Sequence, residues 1–265
     1  MTASDDDVAA RCHANCIEYA REGARGSRSA GEISEQGGVL LLASGSDFPV
    51  FANMAFRLDP ALGAAAVIDL ADAWFAQRGR GWSLGTTSWA DGDQDLIEAA
   101  SDRGLLTTTD TPGMVCDERL ADAEPPDGIE LRTLTTEEEA MAFIAMCDQA
   151  YTSLGLPAGV FQAMAVAPVR MPPHTITVGA FEGDALLSGA QVTFSHGIAG
   201  IYCVGTAEEA RGRGLAELAT RAATNIGFDG GAPYVTLQAS PMGEPIYRRM
   251  GYRELYRYAN HSRFV

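Results

Sequence analysis

The run from Thr175 to Phe228 constrains the fold of this 265-residue chain more than any other. Three β-rich segments are broken at Glu182-Gly183-Asp184 and at Ser195-His196-Gly197, which predicts a three-stranded antiparallel meander over 175–206. An acidic turn follows, and then a helix that opens on Arg211-Gly212-Arg213-Gly214. Glycine costs a helix roughly 1 kcal/mol relative to alanine. Two glycines at a helix start therefore serve either a tight strand-to-helix turn or the close approach of an anion to the backbone.

Downstream, "YVTLQAS" reads as a strand, "GEPIYRRM" as a short helix and "YRELYRYANH" as a last strand. Upstream, "DERLADAEPPDG" (117–128) is acidic and holds a Pro-Pro pair, the signature of a linker. Between them, "IELRTLT" alternates as a strand does, and "TEEEAMAFIAMCDQAY" is an acid-started amphipathic helix. The first half repeats the rhythm. "PVFANMAFRL" is a strand, "GAAAVIDLADAWFAQRG" a helix, "WSLGTT" a strand, "DQDLIEAASDRG" a helix and "LLTTTDTPGMVCDE" a closing extended segment. Residues 1–48 supply a helix ("DVAARCHANCIEYAR"), a mobile Gly/Ser/Arg stretch and one strand ("GVLLLAS"). The shared β–α–β–α–β order, with little sequence likeness, implies a degenerate duplication.

Charge separates the halves. All basic residues are arginine; residues 1–126 hold 9 of them against 21 carboxylates, and residues 127–265 hold 10 against 14. A net charge of -16 disfavours nucleic acid and anionic membranes as partners, and an anion site is better housed in the second half. The five cysteines include no CxxC pair and read as reduced thiols. Cys12 and Cys16 lack two further ligands nearby, so no metal is expected. With no signal-like or membrane-length apolar run, a cytoplasmic location is expected.

Among phosphate-binding motifs, the Rossmann fingerprint requires a third glycine that "GRGLAE" lacks, and the P-loop requires a lysine that the chain lacks. What remains is Arg-x-x-Gly-x-Ala over Arg211, Gly212, Arg213, Gly214, Leu215 and Ala216, directly after a strand. With Tyr247-x-x-x-Gly251-Tyr252 following one strand later, residues 128–261 resemble a GNAT-superfamily N-acyltransferase domain. The resemblance covers about half of the chain. It implies an α+β protein of two GNAT-like domains, each a mixed, mostly antiparallel sheet flanked by helices. Residues 1–122 would form a degenerate domain and 128–265 the acetyl-CoA domain, with 117–128 as linker.

The resemblance further implies acetyl-CoA as co-substrate. Its pyrophosphate would lie on the turn 211–216 and its pantetheine arm along Val204, Gly205 and Thr206, whose backbone would also hold the thioester oxygen. Tyr247 would be the general acid that protonates the departing thiolate. The implied activity is transfer of an acetyl group to a primary amine of a small molecule or peptide by direct attack. The alternative is a non-catalytic acyl-CoA sensor or a protein-interaction module on the same scaffold. No general base is assigned. His196, His174, Glu208 and Glu209 are not placed unambiguously for that role, Tyr202 or Ser240 could order a water that relays the proton, and direct transfer in the family argues against Cys203 as an acylated nucleophile. The loop 151–164 lies where the family builds its acceptor pocket. In the first half, Pro60, Gly63 and Ala65 stand where Arg211, Gly214 and Ala216 do, and no tyrosine matches Tyr247, which implies a silent domain. A homodimer is compatible with these readings.

Overall fold

The computed structural model describes residues 3–26, 31–89, 92–153, 155–164 and 174–265. The first half comprises α1 (Asp5–Gly26), β1 (Glu32–Gln36), β2 (Val39–Ala43), β3 (Asn53–Arg57), α2 (Ala64–Ala76), β4 (Trp82–Ser88), α3 (Gln94–Asp102) and β5 (Leu106–Cys116). The second comprises β6 (Ile129–Thr133), α4 (Glu137–Thr152), α5 (Val160–Met164), β7 (Thr175–Glu182), β8 (Ala185–Ser195) and β9 (Ile198–Thr206). It continues with α6 (Leu215–Asp229), β10 (Val235–Gln238), α7 (Glu244–Met250) and β11 (Arg253–Arg263). Of the expected mobile Gly/Ser/Arg stretch, residues up to Gly26 continue α1, and residues 27–30 lie outside the described ones.

Local chemistry accounts for these elements. Thr136 caps α4 by accepting from the Glu139 N–H, while the Glu139 side chain accepts from the Thr136 N–H, a reciprocal capping box. His196 and Gly197 both sit in the left-handed region, at φ 52° and 72°, as a tight hairpin turn between β8 and β9 requires. Strand β1 had no counterpart in the sequence reading. It is an edge strand, almost wholly exposed, without the alternation that marks a half-buried strand.

The protein is α+β. The sheets of the two halves run together as eleven strands in the order β1-β2-β3-β4-β11-β5-β10-β9-β8-β7-β6. Pairing is antiparallel except between β3 and β4 and between β9 and β10. Each half is completed by the closing strand of the other. Strand β5 lies against β10, β11 lies against β4, and the two exchanged strands pair with each other at the centre. The segment 117–128 is also tied down. Leu120 donates its N–H to Asn225 Oδ1 and accepts from Asn225 Nδ2, and Arg119 pairs with Asp229 at 2.9 Å.

Helices cover both faces. α6 and α7 bury Ala190, Val192, Ala199, Ile201, Leu237 and Met114 on one face, and on the same face α2 and α3 cover Val39, Leu41, Ala55 and Leu84. On the opposite face α1 bridges the halves, covering Leu40, Leu42, Met54 and Phe56 together with Val115, Ile198, Tyr256 and Tyr258. α4 lies beside it over Ala180 and Leu187. Cys12 and Cys16 belong to the α1 core, where burial raises their thiols to about 11 and about 12, so they pack as apolar side chains. Among the described residues no group of His, Cys, Asp and Glu could hold a metal ion, and no helix is long and apolar enough to cross a membrane.

Candidate active site

β9 and β10 run parallel only as far as Ile201 and Leu237. Beyond that point β10 follows β5, the Ala239 N–H donating to the Pro112 carbonyl, while β9 stays with β8. From Tyr202 to Thr206 the edge of β9 that faces away from β8 has no strand partner among the described residues. Within this stretch the register slips between Gly189 and Gln191 of β8, and Cys203 takes up the extra residue with φ 53°. The bulge turns Tyr202 and Cys203 toward the α1 and α4 face and Val204 toward the cluster that holds Tyr247. Gly205 approaches α4 so closely that a Cβ there would sit 3.0 Å from Cys147 Sγ, and the Thr206 hydroxyl is 2.9 Å from that of Ser188.

At the end of β9, a 3-10 turn over Glu208–Ala210 leads to the glycine pair. Gly212 (φ 79°) and Gly214 (φ 77°, the N-cap of α6) are both left-handed, a conformation that costs other residues roughly 1–2 kcal/mol. A Cβ at either would meet nothing within 4 Å, so the glycines serve the backbone path and leave the turn open to solvent. The backbone N–H groups of residues 212–217 have no acceptor among the described residues. They sit at the positive end of a 15-residue helix, an arrangement suited to a phosphate. Leu215 is buried in the α4 cluster and anchors the turn; Ala216 is half-buried, and its carbonyl accepts from the Thr220 hydroxyl. Arg211 donates to the Ser153 hydroxyl and Arg213 pairs with Glu182 at 2.7 Å, so both guanidinium groups are held at the rim of the turn.

Tyr247, on α7, closes the opening from the other side. It is buried, 6.0 Å from the Tyr252 ring, and burial raises its phenol to about 12, partly offset by the Thr220 hydroxyl. Opposite it, around Cys203, lie groups that sequence reasoning missed. The Tyr19 hydroxyl of α1 donates to Gln191 Oε1 at 2.8 Å and lies 2.8 Å from Cys203 Sγ. Its ring stacks on Tyr202 at 3.8 Å. Tyr151 of α4 stacks on Phe161 and lies near enough to Cys203 and Tyr247 that their ionisations oppose one another. Only the apolar, aromatic character of 151–164 foreshadowed any of this; no local pattern places Tyr19 on β9.

The side chains that could serve as a base or order its water are hydrogen-bonded elsewhere, solvent-exposed or remote from the glycine turn. Tyr202 is buried and donates to Asn15 Oδ1 at 2.6 Å, Ser240 accepts from the Gly243 N–H, and Glu208 and Glu209 are exposed in the 3-10 turn. His196 is exposed in its hairpin. His174 lines an apolar recess of about 430 Å³ with Ile176, Phe194, Ile226, Asp229 and Gly230. That recess adjoins the C-terminal end of α6, about 20 Å along the helix from the glycine turn.

The corresponding place in the first half is built differently. Gly63 caps α2 with φ -63° and ψ 144°, an ordinary extended conformation. The space beyond the short β3–β4 pairing receives Arg57, the last residue of β3. Its guanidinium bonds Asp95 at 2.7 and 2.9 Å, Asp93 at 3.1 Å and the Leu62 carbonyl at 3.3 Å. A side chain thus fills the position that stays open beside β9.

Solved structures share this architecture. A GCN5-related N-acetyltransferase from Kribbella flavida matches with a TM-score of 0.68 at 21% identity, over 92% of this chain and 94% of that one. Another from Sphaerobacter thermophilus matches with a TM-score of 0.62 at 16% identity, over 87% and 82%. The chain therefore has the fold of the GCN5-related N-acetyltransferases. More narrowly, it has the tandem arrangement: a tandem GNAT protein from the clavulanic acid biosynthesis pathway matches with a TM-score of 0.59 at 17% identity, over 85% and 78%. No protein-family model and no curated protein matches the sequence.

Proposed function

We propose that the protein is an acetyl-CoA-dependent N-acetyltransferase whose single co-substrate site lies in residues 128–265. The carrying observation is the left-handed glycine pair at the start of α6, with unpaired N–H groups, directly continuous with the unpaired edge of β9. These groups fit acetyl-CoA. The N–H groups of Gly212 to Glu217 would hold its pyrophosphate, and Val204, Gly205 and Thr206 would offer backbone partners to its pantetheine arm. Arg211 and Arg213 would add positive charge at the rim, since the exposed contacts they make cost little to exchange.

When bound, acetyl-CoA supplies an activated acyl group as a thioester. The chain's part is to orient and exclude water. The edge of β9 beside the Cys203 bulge, which has no strand partner among the described residues, would offer backbone N–H groups to the carbonyl oxygen on which negative charge develops. Tyr247, with its phenol raised to about 12, stays protonated throughout the neutral range and donates a hydrogen bond to the departing sulfur. The same shift makes it a reluctant source of the proton itself, so its main contribution is to hold the developing thiolate. Residues 1–122 would be silent toward acetyl-CoA because Arg57 occupies the equivalent opening.

Calorimetric titration with acetyl-CoA tests the reading, with one site per chain expected. Two sites would mean that the first half is active, and no binding would favour a protein-interaction module. Binding without CoA release across a broad amine panel would favour a sensor.

A further inference from the structure

The cluster around Cys203 bears on the chemistry of the acceptor, an argument that rests on the acetyl-CoA reading above. The face of the β9 opening toward α6 and α7 is filled by Val204, Tyr247 and their neighbours. A nucleophile must therefore reach the thioester from the α1 and α4 face. There, Tyr19, Tyr151, Gln191 and Cys203 are all half-buried, and Tyr202 lies beneath them. Every one of these side chains is uncharged. Burial raises the thiol of Cys203 to about 12 and the phenols of Tyr19, Tyr151 and Tyr202 well above their usual range, so none ionises near neutrality.

No carboxylate serves this cluster among the described residues. Asp148, the buried carboxylate of α4, is turned the other way, accepting the Gly159 N–H at 3.1 Å on both oxygens and Gln162 Nε2 at 3.4 Å. Glu18, beside Tyr19 on α1, is paired with Arg21 and Arg25. One face of each aromatic ring here is taken as well. Tyr19 and Tyr202 stack on each other with an interplanar angle of 5°, and Tyr151 stacks on Phe161 at 5.2 Å. The rings are thus stacked in pairs and not splayed around a common centre as the walls of an ammonium cage are. Bringing an alkylammonium group here would bury an unpaired charge.

We infer that the acceptor is a weakly basic amine, already unprotonated at neutral pH and carried on a flat apolar body, as in an arylamine. Its nitrogen lone pair attacks the thioester carbonyl carbon, the C–N bond forms and the C–S bond breaks. The proton shed by nitrogen passes to water, and the thiolate takes one proton, so the products are the amide and the free CoA thiol. Such an acceptor arrives deprotonated, which accounts for a site with no carboxylate or histidine placed as a base among the described residues.

Two isomers, 4-methylaniline and benzylamine, isolate the point because they differ in basicity while sharing their atoms. With wild-type protein and acetyl-CoA, kcat/KM for 4-methylaniline should exceed that for benzylamine by at least about tenfold. It should also stay flat from roughly pH 6 to pH 8. Calorimetry on the complex with CoA should show binding of 4-methylaniline and none of benzylamine. Gln191→Glu, which sets a carboxylate against the Tyr19 hydroxyl, should shift the preference toward benzylamine. A preference for benzylamine, turnover of neither isomer by protein that binds acetyl-CoA, or an unchanged preference in Gln191→Glu would each overturn the inference. Failure to bind acetyl-CoA at all would instead remove the reading beneath it.

Discussion

The Tyr19 hydroxyl and the Cys203 thiol, 184 positions apart in the chain, lie 2.8 Å from each other. One sits on the first helix of the first half, the other at the bulge where β9 leaves β10 in the second. The contact is reinforced by Tyr202, which donates to Asn15 Oδ1, and by Asn15 Nδ2, which donates to the Thr193 carbonyl and the Ser195 hydroxyl. The first half, whose corresponding opening is filled by Arg57, thus supplies one wall of the candidate site in the second.

Residues 128–265 expressed alone should fail to fold. They lack α1 and also β5, the strand between β10 and β11, so both strands would expose unpaired edges and the face of Ile198 and Tyr256 would lose its α1 cover. Far-UV circular dichroism and solubility of the fragment check this. A soluble fragment with a cooperative melt would show that the exchanged strand is dispensable.

The contrast between local and exchanged structure also explains what the sequence discloses. The meander β7–β9, the capping box of α4 and the glycine turn are set by neighbours a few residues apart, and each was legible in residue order. The Arg57 plug, the exchange of β5 and β11 and the docking of Tyr19 join residues 36 to 184 positions apart, for which periodicity carries no signal. Strand β1 was illegible for another reason, carrying a single apolar residue, Ile33, among its five. Helix α5 is a five-residue turn inside an apolar loop, too short to show a helical repeat.

The glycine turn yields a paired test. Gly214→Ala forces a side chain into φ 77° and should cost roughly 1–2 kcal/mol of stability even though its Cβ meets open space. Acetyl-CoA affinity should drop by about tenfold or more as the N–H groups reorient. Gly63→Ala, at φ -63° with nothing within 4 Å, sets the gain from a less flexible unfolded chain against alanine's poorer N-cap preference, so stability should change by less than about 1 kcal/mol and affinity should be unchanged. Thermal melts with parallel titrations read both; equal effects at the two sites would remove the distinction between the halves.

Arg57→Met should destabilise the protein by about 3 kcal/mol, because it strands Asp93 beside an apolar side chain in a largely buried setting. Arg57 also lowers the Asp95 carboxyl, first through its hydrogen bond, so the lost stability is the part present above the unfolded aspartate value of about 3.9. Denaturant melts should show the wild-type advantage holding from neutral pH down to about pH 4 and shrinking as pH falls below that value. An advantage that is constant with pH would assign the effect to Arg57 side-chain contacts alone.

Tyr247→Phe should keep the ring contacts with Tyr252 and lose only the hydroxyl. Turnover should fall by about ten- to a hundredfold while acetyl-CoA affinity stays within about twofold. Stopped-flow measurement of thiol release separates the two quantities. Full turnover in this variant would remove Tyr247 from the chemistry.

Acid should weaken the fold while the carboxylates are still ionised. His13 packs against Phe56 and Trp89 with its Nδ1 unpartnered, and His261 is buried between the hydroxyls of Thr86 and Thr107 at 3.0 and 3.2 Å. Burial lowers both imidazoles, opposed by Asp93 at His13 and by Asp110 at His261. In the unfolded chain each titrates near 6.5. Between that value and the lower folded one the unfolded state binds protons that the folded state does not, so stability is complete above about pH 6.5 and declines below it. Melting temperature should therefore fall between about pH 7.5 and pH 5.5, before the aspartates protonate. His261→Asn, which retains a side chain that can meet both threonines, should flatten part of that slope. An unchanged slope would assign the acid sensitivity to His13 alone.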